Sequence, residues 1–162
     1  MIGIINYGLG NIRAYYNIYK DNGIDLKIIS NHKVIDSKIK KLILPGIGYF
    51  DKAIELLKKK NFFEEIKNFS INNSNKILGI CVGMQILTNG SEEGKLNGLG
   101  LIDENFVKLP SKILPHIGWN RIILTDQIDL MNNINENSYF YFLHSYSLLT
   151  KNSEISICET FY

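Results

Sequence analysis

Short apolar runs alternate with amphipathic stretches over the first half of the chain. Four runs rich in Ile and Leu have the length of buried strands: residues 1–6, 26–30, 42–44 and 76–80. Two longer stretches, Asn11–Lys20 and Ala53–Phe69, carry apolar residues at the three- to four-residue spacing of a helix. Asn11 and Asp51 stand where N-caps are expected, and Pro45-Gly46 is expected to end the third strand.

This alternation of strands and helices predicts a parallel sheet that is covered on both faces. After Gly90 the pattern changes, and no long helix is predicted. Four segments look like strands joined by turns: Asn105–Leu109, Arg121–Leu124, Tyr139–Leu149 and Glu154–Cys158. We therefore expect one three-layer α/β domain over residues 1–162, with a mostly parallel sheet and an antiparallel extension.

Composition narrows the class of protein. The chain has 162 residues, of which 45% are hydrophobic and 21% charged, with a net charge of +2. Its densest basic run, Lys58-Lys59-Lys60, is explained as the solvated end of a helix, so no nucleic-acid partner is predicted. No apolar stretch approaches the ~18 residues that cross a bilayer, and residues 1–5 lack the basic flank of a signal peptide. The expectation is a soluble, cytoplasmic domain without a membrane partner.

The two cysteines, Cys81 and Cys158, lie far apart and show no metal-ligand spacing. Two thiols without a disulfide framework suit a reducing compartment, and no metal site is predicted. The pair Gly8-x-Gly10 lacks the third glycine of a dinucleotide fingerprint and the Gly-Lys-Ser/Thr of a phosphate loop. No bound nucleotide is therefore expected. Cys158 ends an apolar segment and is most simply a core residue.

The motif G-I-C-V-G at residues 79–83 lies between a predicted strand and a short apolar helix that is expected to reach Leu87. It has the form of a nucleophile elbow with cysteine in place of serine. Such a turn strains the backbone of the nucleophile, and residues two positions away must lack a Cβ. It would set the sulfur of Cys81 at a helix N-terminus, where the thiolate is favoured, with the N–H of Val82 aimed at an oxyanion. The alternative is a buried cysteine on a core strand between packing glycines.

A second glycine pair, Gly46 and Gly48, follows the third predicted strand. A backbone N–H here could complete an oxyanion hole, or the segment could be a plain strand-to-helix turn. A cysteine nucleophile generally needs a histidine base. His116 and His144 could each be that base or a core or interface histidine, whereas His32 lies in a polar loop and is expected to be solvated.

Six motifs in order along nearly the whole chain resemble the class I glutamine amidotransferases, which are flavodoxin-like. Within that family, they are most similar to the glutaminase subunits of imidazole glycerol phosphate synthase. The motifs are Ile5–Asn11, Leu44–Phe50, Gly79–Leu87, Ser91–Gly94 with Gly98–Ile102, Pro115–Asn120 and Tyr141–Tyr146. Any one of them alone would be unspecific, but the set in this order is specific.

The resemblance implies an enzyme and a role for each matching position. Cys81 would attack the side-chain amide of L-glutamine and form a γ-glutamyl thioester. Backbone N–H groups of three residues would stabilise the tetrahedral oxyanion: Ile47, Gly48 and Val82. Five residues would hold the glutamine: Gly46, Gln85, Glu93, Tyr141 and His144. No cofactor is implied.

The resemblance also implies a partner, a (β/α)8-barrel synthase subunit that forms a heterodimer with this chain and uses the released ammonia in histidine biosynthesis. Six residues would line the face toward it: Asn11, Pro115, His116, Gly118, Trp119 and Asn120. Similar subunits supply ammonia to enzymes that aminate surface-polysaccharide sugars, which is one alternative. A non-catalytic binding subunit that keeps only the fold and the interface is another.

One departure from the family lies at the end of the sequence. The family completes its triad with a His-Pro-Glu motif near the C-terminus, and this sequence ends at Thr160-Phe161-Tyr162. By family position, neither His116 nor His144 is the catalytic base. The expectation is therefore a truncated glutaminase domain that reacts at Cys81 without sustained turnover.

Overall fold

A computed structural model describes residues 1–35, 37–126, 128–135, 137–150, 155–156 and 158–162. These residues fall into two units, residues 1–105 and residues 106–162. The first unit contains strands β1 (Ile2–Ile5), β2 (Leu26–Ile29), β3 (Lys41–Gly46), β4 (Lys76–Cys81) and β5 (Thr88–Ser91). Its helices are α1 (Ile12–Asp21), α2 (Phe50–Lys59), α3 (Phe62–Ile71) and α4 (Val82–Gln85).

Strands β1 to β4 form one parallel sheet in the order β2-β1-β3-β4. Because side chains alternate across a strand, the sheet has two apolar faces. Ile4 and Ile43 pack with residues of α1 on one face. Ile5 and Leu44 pack with residues of α2 and α3 on the other face. The first unit is thus an α/β/α sandwich, and the predicted three-layer fold with a mainly parallel sheet is confirmed.

The predicted bounds of the elements hold where local signals determine them. Asn11 caps α1, and its side-chain oxygen accepts a hydrogen bond from the Ala14 N–H at 3.2 Å.

The stretch predicted as one helix over Ala53–Phe69 is two helices, α2 and α3. They are separated at Asn61, whose φ of 59° is left-handed and therefore ends helical progression.

The predicted cap at Asp51 is wrong, because Tyr49 occupies the N-cap position of α2. Asp51 lies in the first turn of the helix, and its carboxylate accepts hydrogen bonds from the Lys95 and Leu96 N–H groups at 2.9 and 3.0 Å. A carboxylate is still favourable in this turn, near the positive end of the helix. Its partners come from a loop more than forty residues further along the sequence, which explains why a local rule misassigned it.

The predicted end of the third strand is also wrong, because β3 continues through Pro45 to Gly46. The carbonyl of Pro45 accepts a hydrogen bond from the hydroxyl of Tyr7, which follows β1, and in an extended strand the nitrogen of a residue faces the same side as its carbonyl. Pairing of β3 with β1 ends at Ile43, while pairing with β4 continues to Gly46. The N–H that proline lacks is therefore not needed for a ladder hydrogen bond.

The second unit is built from antiparallel strand pairs, as predicted. Strand β6 (Ile102–Lys108) begins in the first unit beside β5. The second unit adds β7 (His116–Arg121), β8 (Ile123–Leu124), β9 (Tyr139–His144), β10 (Tyr146–Ser147) and β11 (Cys158–Glu159). The antiparallel pairs are β6 with β10, β7 with β9 and β8 with β11.

The predicted strand bounds of the second unit need correction. The segment predicted over Arg121–Leu124 is divided between β7 and β8, and that over Tyr139–Leu149 between β9 and β10. Of the strand predicted over Glu154–Cys158, residues 154 and 157 lie outside the described residues. Within the described ranges, no helix has the length and apolar character that a membrane crossing requires.

Candidate active site

Cys81 is the last residue of β4 and is followed at once by α4. Its backbone has φ 55° and ψ −119°, a conformation that non-glycine residues rarely adopt and that is held only by surrounding structure. Its side chain is exposed. A strained, exposed thiol at the carboxyl end of a parallel strand fits a nucleophile elbow, and it does not fit a buried cysteine on a core strand.

The glycines of the motif are required by close backbone contacts. A Cβ added to Gly79 would stand 2.6 Å from the Cα of Met84, and one added to Gly83 would overlap the carbonyl oxygen of Leu44. Both obstacles are backbone atoms, which cannot rotate away. The steric reason predicted for these glycines is therefore present in the fold.

The helix after Cys81 is shorter than predicted, because α4 has four residues and ends at Gln85 rather than at Leu87. A single turn carries little cumulative dipole, so its contribution beside the sulfur comes from the backbone N–H groups at its start. Val82 provides the first of these, and its side chain is buried. The backbone after the sulfur is thus firmly held.

The second glycine segment lies beside the elbow. Gly46 is the register partner of Cys81 in the β3–β4 ladder. Ile47 then leaves the sheet and is 64% exposed. Gly48 has a φ of 102°, and no atom lies within 4 Å of the position of a Cβ. The peptide groups of Ile47 and Gly48, which have unusual orientational freedom, therefore follow directly after Gly46, the neighbour of Cys81.

Two tyrosines near Cys81, Tyr7 and Tyr15, were not predicted from the sequence as site residues. Burial raises the pKa of Tyr7 well above its ordinary value, and the nearby Cys81 adds to the shift. The pKa of Tyr15 is raised by the same two causes, with burial again the larger. Tyr7 belongs to the N-terminal motif Ile5–Asn11, which was the available signal, whereas Tyr15 lies in the stretch Asn11–Lys20, whose pattern predicted only a helix.

Gln85 and Glu93, both expected to hold glutamine, are engaged with protein groups in the first unit. Gln85 is buried, and its Oε1 accepts a hydrogen bond from the Ser91 hydroxyl at 3.1 Å. Glu93 Oε2 accepts a hydrogen bond from the Phe50 N–H at 3.2 Å. Burial raises the pKa of Glu93, the Phe50 N–H opposes this, and the Asp51 charge raises it further. The hydrogen bond between Ser91 and Gln85 could not be predicted from the sequence pattern.

In the second unit, His116 is buried and stacks between Phe142 and Tyr162, with ring centroids 4.6 and 4.0 Å away. Its Nδ1 has no hydrogen-bond partner within the described part of the chain. Burial lowers its pKa, and nearby His144 lowers it further. Aromatic packing thus encloses the ring of His116 within the second unit, and its role at a partner-facing surface stays a prediction.

The other candidates of the second unit lie on or beside β7 and β9. Trp119 is 69% exposed, and its ring meets that of Tyr141 edge-on at 5.6 Å. Asn120 donates from Nδ2 to the Phe161 carbonyl at 2.7 Å, so that its amide is occupied. His144 Nδ1 lies 2.9 Å from the Tyr146 carbonyl oxygen. The roles predicted for Tyr141 and His144 in glutamine binding stay predictions.

The three remaining interface candidates have exposed or open positions. Asn11 is exposed, although its side chain already caps α1. Pro115 is exposed and follows a cis peptide bond. Gly118 has a φ of 131° and open space around it. In the described ranges no group of three or more His, Cys, Asp or Glu side chains could hold a metal ion.

Comparison with known proteins gives one consistent family. The family model described as CobB/CobQ-like glutamine amidotransferase domain matches residues 4–128. The chain is 41% identical to imidazole glycerol phosphate synthase subunit HisH 2 of Methanococcus maripaludis, over 100% of the chain and 81% of that protein. It is 43% identical to subunit HisH of Caldanaerobacter subterraneus, over 90% of the chain and 72% of that protein.

Solved structures agree at the level of the fold. A crystal structure of a glutamine amidotransferase superposes with a TM-score of 0.72 at 15% identity, covering 92% of this chain and 74% of the other. A GMP synthase-like protein from Thermoplasma acidophilum gives 0.65 at 16% identity, covering 91% and 66%. At these identities, the likeness supports a common fold and carries no information on substrate.

Proposed function

The chain belongs to the class I glutamine amidotransferases, close to the HisH subunits of imidazole glycerol phosphate synthase, and on that premise we propose that it is a glutaminase subunit. It hydrolyses L-glutamine to glutamate and ammonia at Cys81. The ammonia passes to a (β/α)8-barrel synthase subunit that makes imidazole glycerol phosphate in histidine biosynthesis. The observation that carries the proposal is the exposed, strained Cys81 beside Gly46.

The proposed reaction uses the two segments that meet at this point. The Cys81 sulfur adds to the amide carbon of glutamine, and the N–H groups of Ile47, Gly48 and Val82 are the candidate donors to the oxyanion. Collapse breaks the C–N bond, and the nitrogen leaves as ammonia after taking a proton. Water then adds to the thioester, and the C–S bond breaks to give glutamate and the free thiol.

Neither alternative function is favoured. The relatives are named as subunits of imidazole glycerol phosphate synthase, which supports the synthase over a sugar-aminating partner. A non-catalytic role finds no support in a chain that keeps the strained nucleophile turn. The expectation of an incomplete triad without sustained turnover is not borne out by these comparisons, and it forms no part of the proposal.

Glutamine-dependent synthesis of imidazole glycerol phosphate tests the proposal. The full chain is mixed with a (β/α)8 synthase subunit, and product, glutamate and ammonia are measured. We expect glutamate and imidazole glycerol phosphate to appear in equal amounts, and product from glutamine to require this chain. Ammonium salts supplied to the synthase serve as the positive control. The proposal is wrong if glutamine is hydrolysed only when a sugar amidotransferase is present. It is also wrong if glutamine is not hydrolysed with either the synthase or the sugar amidotransferase.

The exposed face of the β7–β9 pair is the proposed contact with the synthase. Because side chains alternate along each strand, six residues lie on this face of the β7–β9 pair. They form three cross-strand pairs: Ile117 with Leu143, Trp119 with Tyr141, and Arg121 with Tyr139. Four of the apolar and aromatic members, Ile117, Trp119, Tyr141 and Leu143, are each more than half exposed. Contiguous exposed apolar surface of this kind is typical of a protein interface.

Trp119→Ala is expected to weaken association with the synthase by about 30-fold or more, since truncating an interface anchor can cost ~2 kcal/mol. Because the side chain is 69% exposed, the melting temperature of the isolated chain should change little. Titration calorimetry with the synthase measures the first effect and thermal unfolding the second. Ile71→Ala, at a position 77% exposed on α3, is the control and should leave association unchanged. A lowered melting temperature with unaltered affinity would contradict the interface.

A further inference from the structure

Tyr7 is fully buried although it carries a hydroxyl group. That hydroxyl donates a hydrogen bond to the carbonyl oxygen of Pro45 at 2.7 Å, in a buried setting. Burial, together with the proximity of Cys81, raises the pKa of the phenol, so that it stays neutral and keeps the proton that it donates. A buried hydroxyl bonded to the carbonyl of Pro45 therefore fixes one peptide group at the end of β3.

The hydroxyl of Tyr7 also lies close to Gly46, the register partner of Cys81. A Cβ built on Gly46 would lie 2.9 Å from the Tyr7 oxygen, 2.7 Å from the Gly83 nitrogen and 3.0 Å from the Cβ of Val82. Gly46 is thus held between the Tyr7 hydroxyl and the first turn after Cys81. The backbone segment that contains Gly48 and the turn that carries Val82 meet at this glycine.

In the described part of the chain, Ile47 and Gly48 receive no side-chain hydrogen bond, and the next backbone group that does is the Phe50 N–H, which is bound to Glu93. Ile47 is largely exposed, and open space surrounds Gly48. The orientation of their N–H groups therefore depends on how the backbone is held on each side, at Pro45 and at Phe50. Among the described hydrogen bonds, the last one from a side chain to the backbone before this segment is to the Pro45 carbonyl. Its donor is the hydroxyl of Tyr7.

We propose that Tyr7 is a positioning residue for glutamine hydrolysis, whose hydroxyl holds the Pro45-Gly46 peptide so that the following N–H groups face the oxyanion formed at Cys81. It acts through Pro45 and does not touch the substrate. The proposal rests on the proposed glutaminase function and adds to it the side chain that sets the oxyanion donors. Since donors act on the oxyanion of the transition state, their displacement should lower kcat more than it changes KM.

Tyr7→Phe removes only the hydroxyl and is the test variant. Loss of one oxyanion donor costs about 10²–10³ in rate, and misplacement should cost less, so we expect a roughly tenfold lower kcat with KM within about twofold. Alkylation of Cys81 by iodoacetamide is measured in parallel, because the sulfur replaces iodide in that reaction and no oxyanion forms. Its rate should match that of the unsubstituted protein. All rates are measured with the synthase bound and are normalised to the Cys81 titre, so that partial folding does not obscure the result.

Asn75→Ala is the matched control, since it removes a side-chain hydrogen bond to a backbone carbonyl, that of Phe69 at 2.9 Å, just before the amino end of β4. It should leave kcat unchanged. Equal losses of turnover and alkylation in Tyr7→Phe, or no loss of turnover, would overturn the positioning role while leaving the glutaminase function intact. Absence of glutamine hydrolysis in the unsubstituted protein would overturn both.

Discussion

Cys81→Ser is expected to abolish glutamine hydrolysis, lowering kcat by roughly 10⁴-fold or more, as loss of a catalytic nucleophile does in other hydrolases. The substitution is nearly isosteric, so the strained turn at φ 55° should persist. A serine hydroxyl is far less ionised than a thiol at neutral pH and is a much weaker nucleophile without dedicated activation. Glutamate release with the synthase present measures the effect, and circular dichroism verifies that the fold is retained.

Cys158→Ser is the control for this experiment. Cys158 is half-buried, and burial raises its pKa, as does the charge of Glu159 to a smaller extent. It should therefore stay a thiol and react slowly. Mass spectrometry after treatment with a thiol-reactive glutamine analogue should find the label on Cys81 in the unsubstituted protein and in Cys158→Ser. Labelling of Cys158 instead would show that the nucleophile has been misassigned.

Gly48→Val should lower the rate of thioester formation by about 10²–10³, the cost of losing one oxyanion donor. The φ of 102° is accessible to glycine and strongly disfavoured for a β-branched residue. Because no atom lies within 4 Å of the new Cβ, the effect acts through the backbone rather than through a clash. Pre-steady-state release of ammonia measures acylation, and glutamine affinity is measured separately in the Cys81→Ser background.

Gly23→Val provides a matched control, because Gly23 also has a positive φ, of 69°, and open space around it. Both substitutions impose a similar backbone cost, so both should lower stability by about 1 kcal/mol or more. Only Gly48→Val should impair acylation. If it reduces glutamine affinity and acylation equally, Gly48 has no specific part in the oxyanion site and is simply a turn residue.

Features that depend on neighbouring residues were predicted correctly from the sequence. The Asn11 cap follows from a side-chain oxygen placed three residues before an N–H, which is a local geometric relation. The strands of the parallel sheet follow from short apolar runs. The elbow at Cys81 follows from two glycines whose spacing matches a tight turn. In each case the physical cause lies within a few residues of its effect.

Features that depend on distant residues were decided by the tertiary structure. Asp51 is bound to Lys95 and Leu96 rather than capping its helix, since their N–H groups come from a remote loop. His116 stacks against Phe142 of β9 and against Tyr162, and neither contact could be predicted from the residues next to it in sequence.

Tyr7 shows most clearly the difference between what neighbouring residues determine and what distant residues determine. Its sequence neighbours mark it as part of a motif, and nothing in them indicates a hydrogen bond to Pro45, 38 residues away. Parallel strands bring such residues together because each crossover returns the chain to the same end of the sheet. The sequence by itself predicted Cys81 as the nucleophile and determined the kind of turn that carries it. Tertiary packing decided which side chains hold that turn and its neighbouring strand, because those contacts form only when β1, β3 and β4 lie side by side.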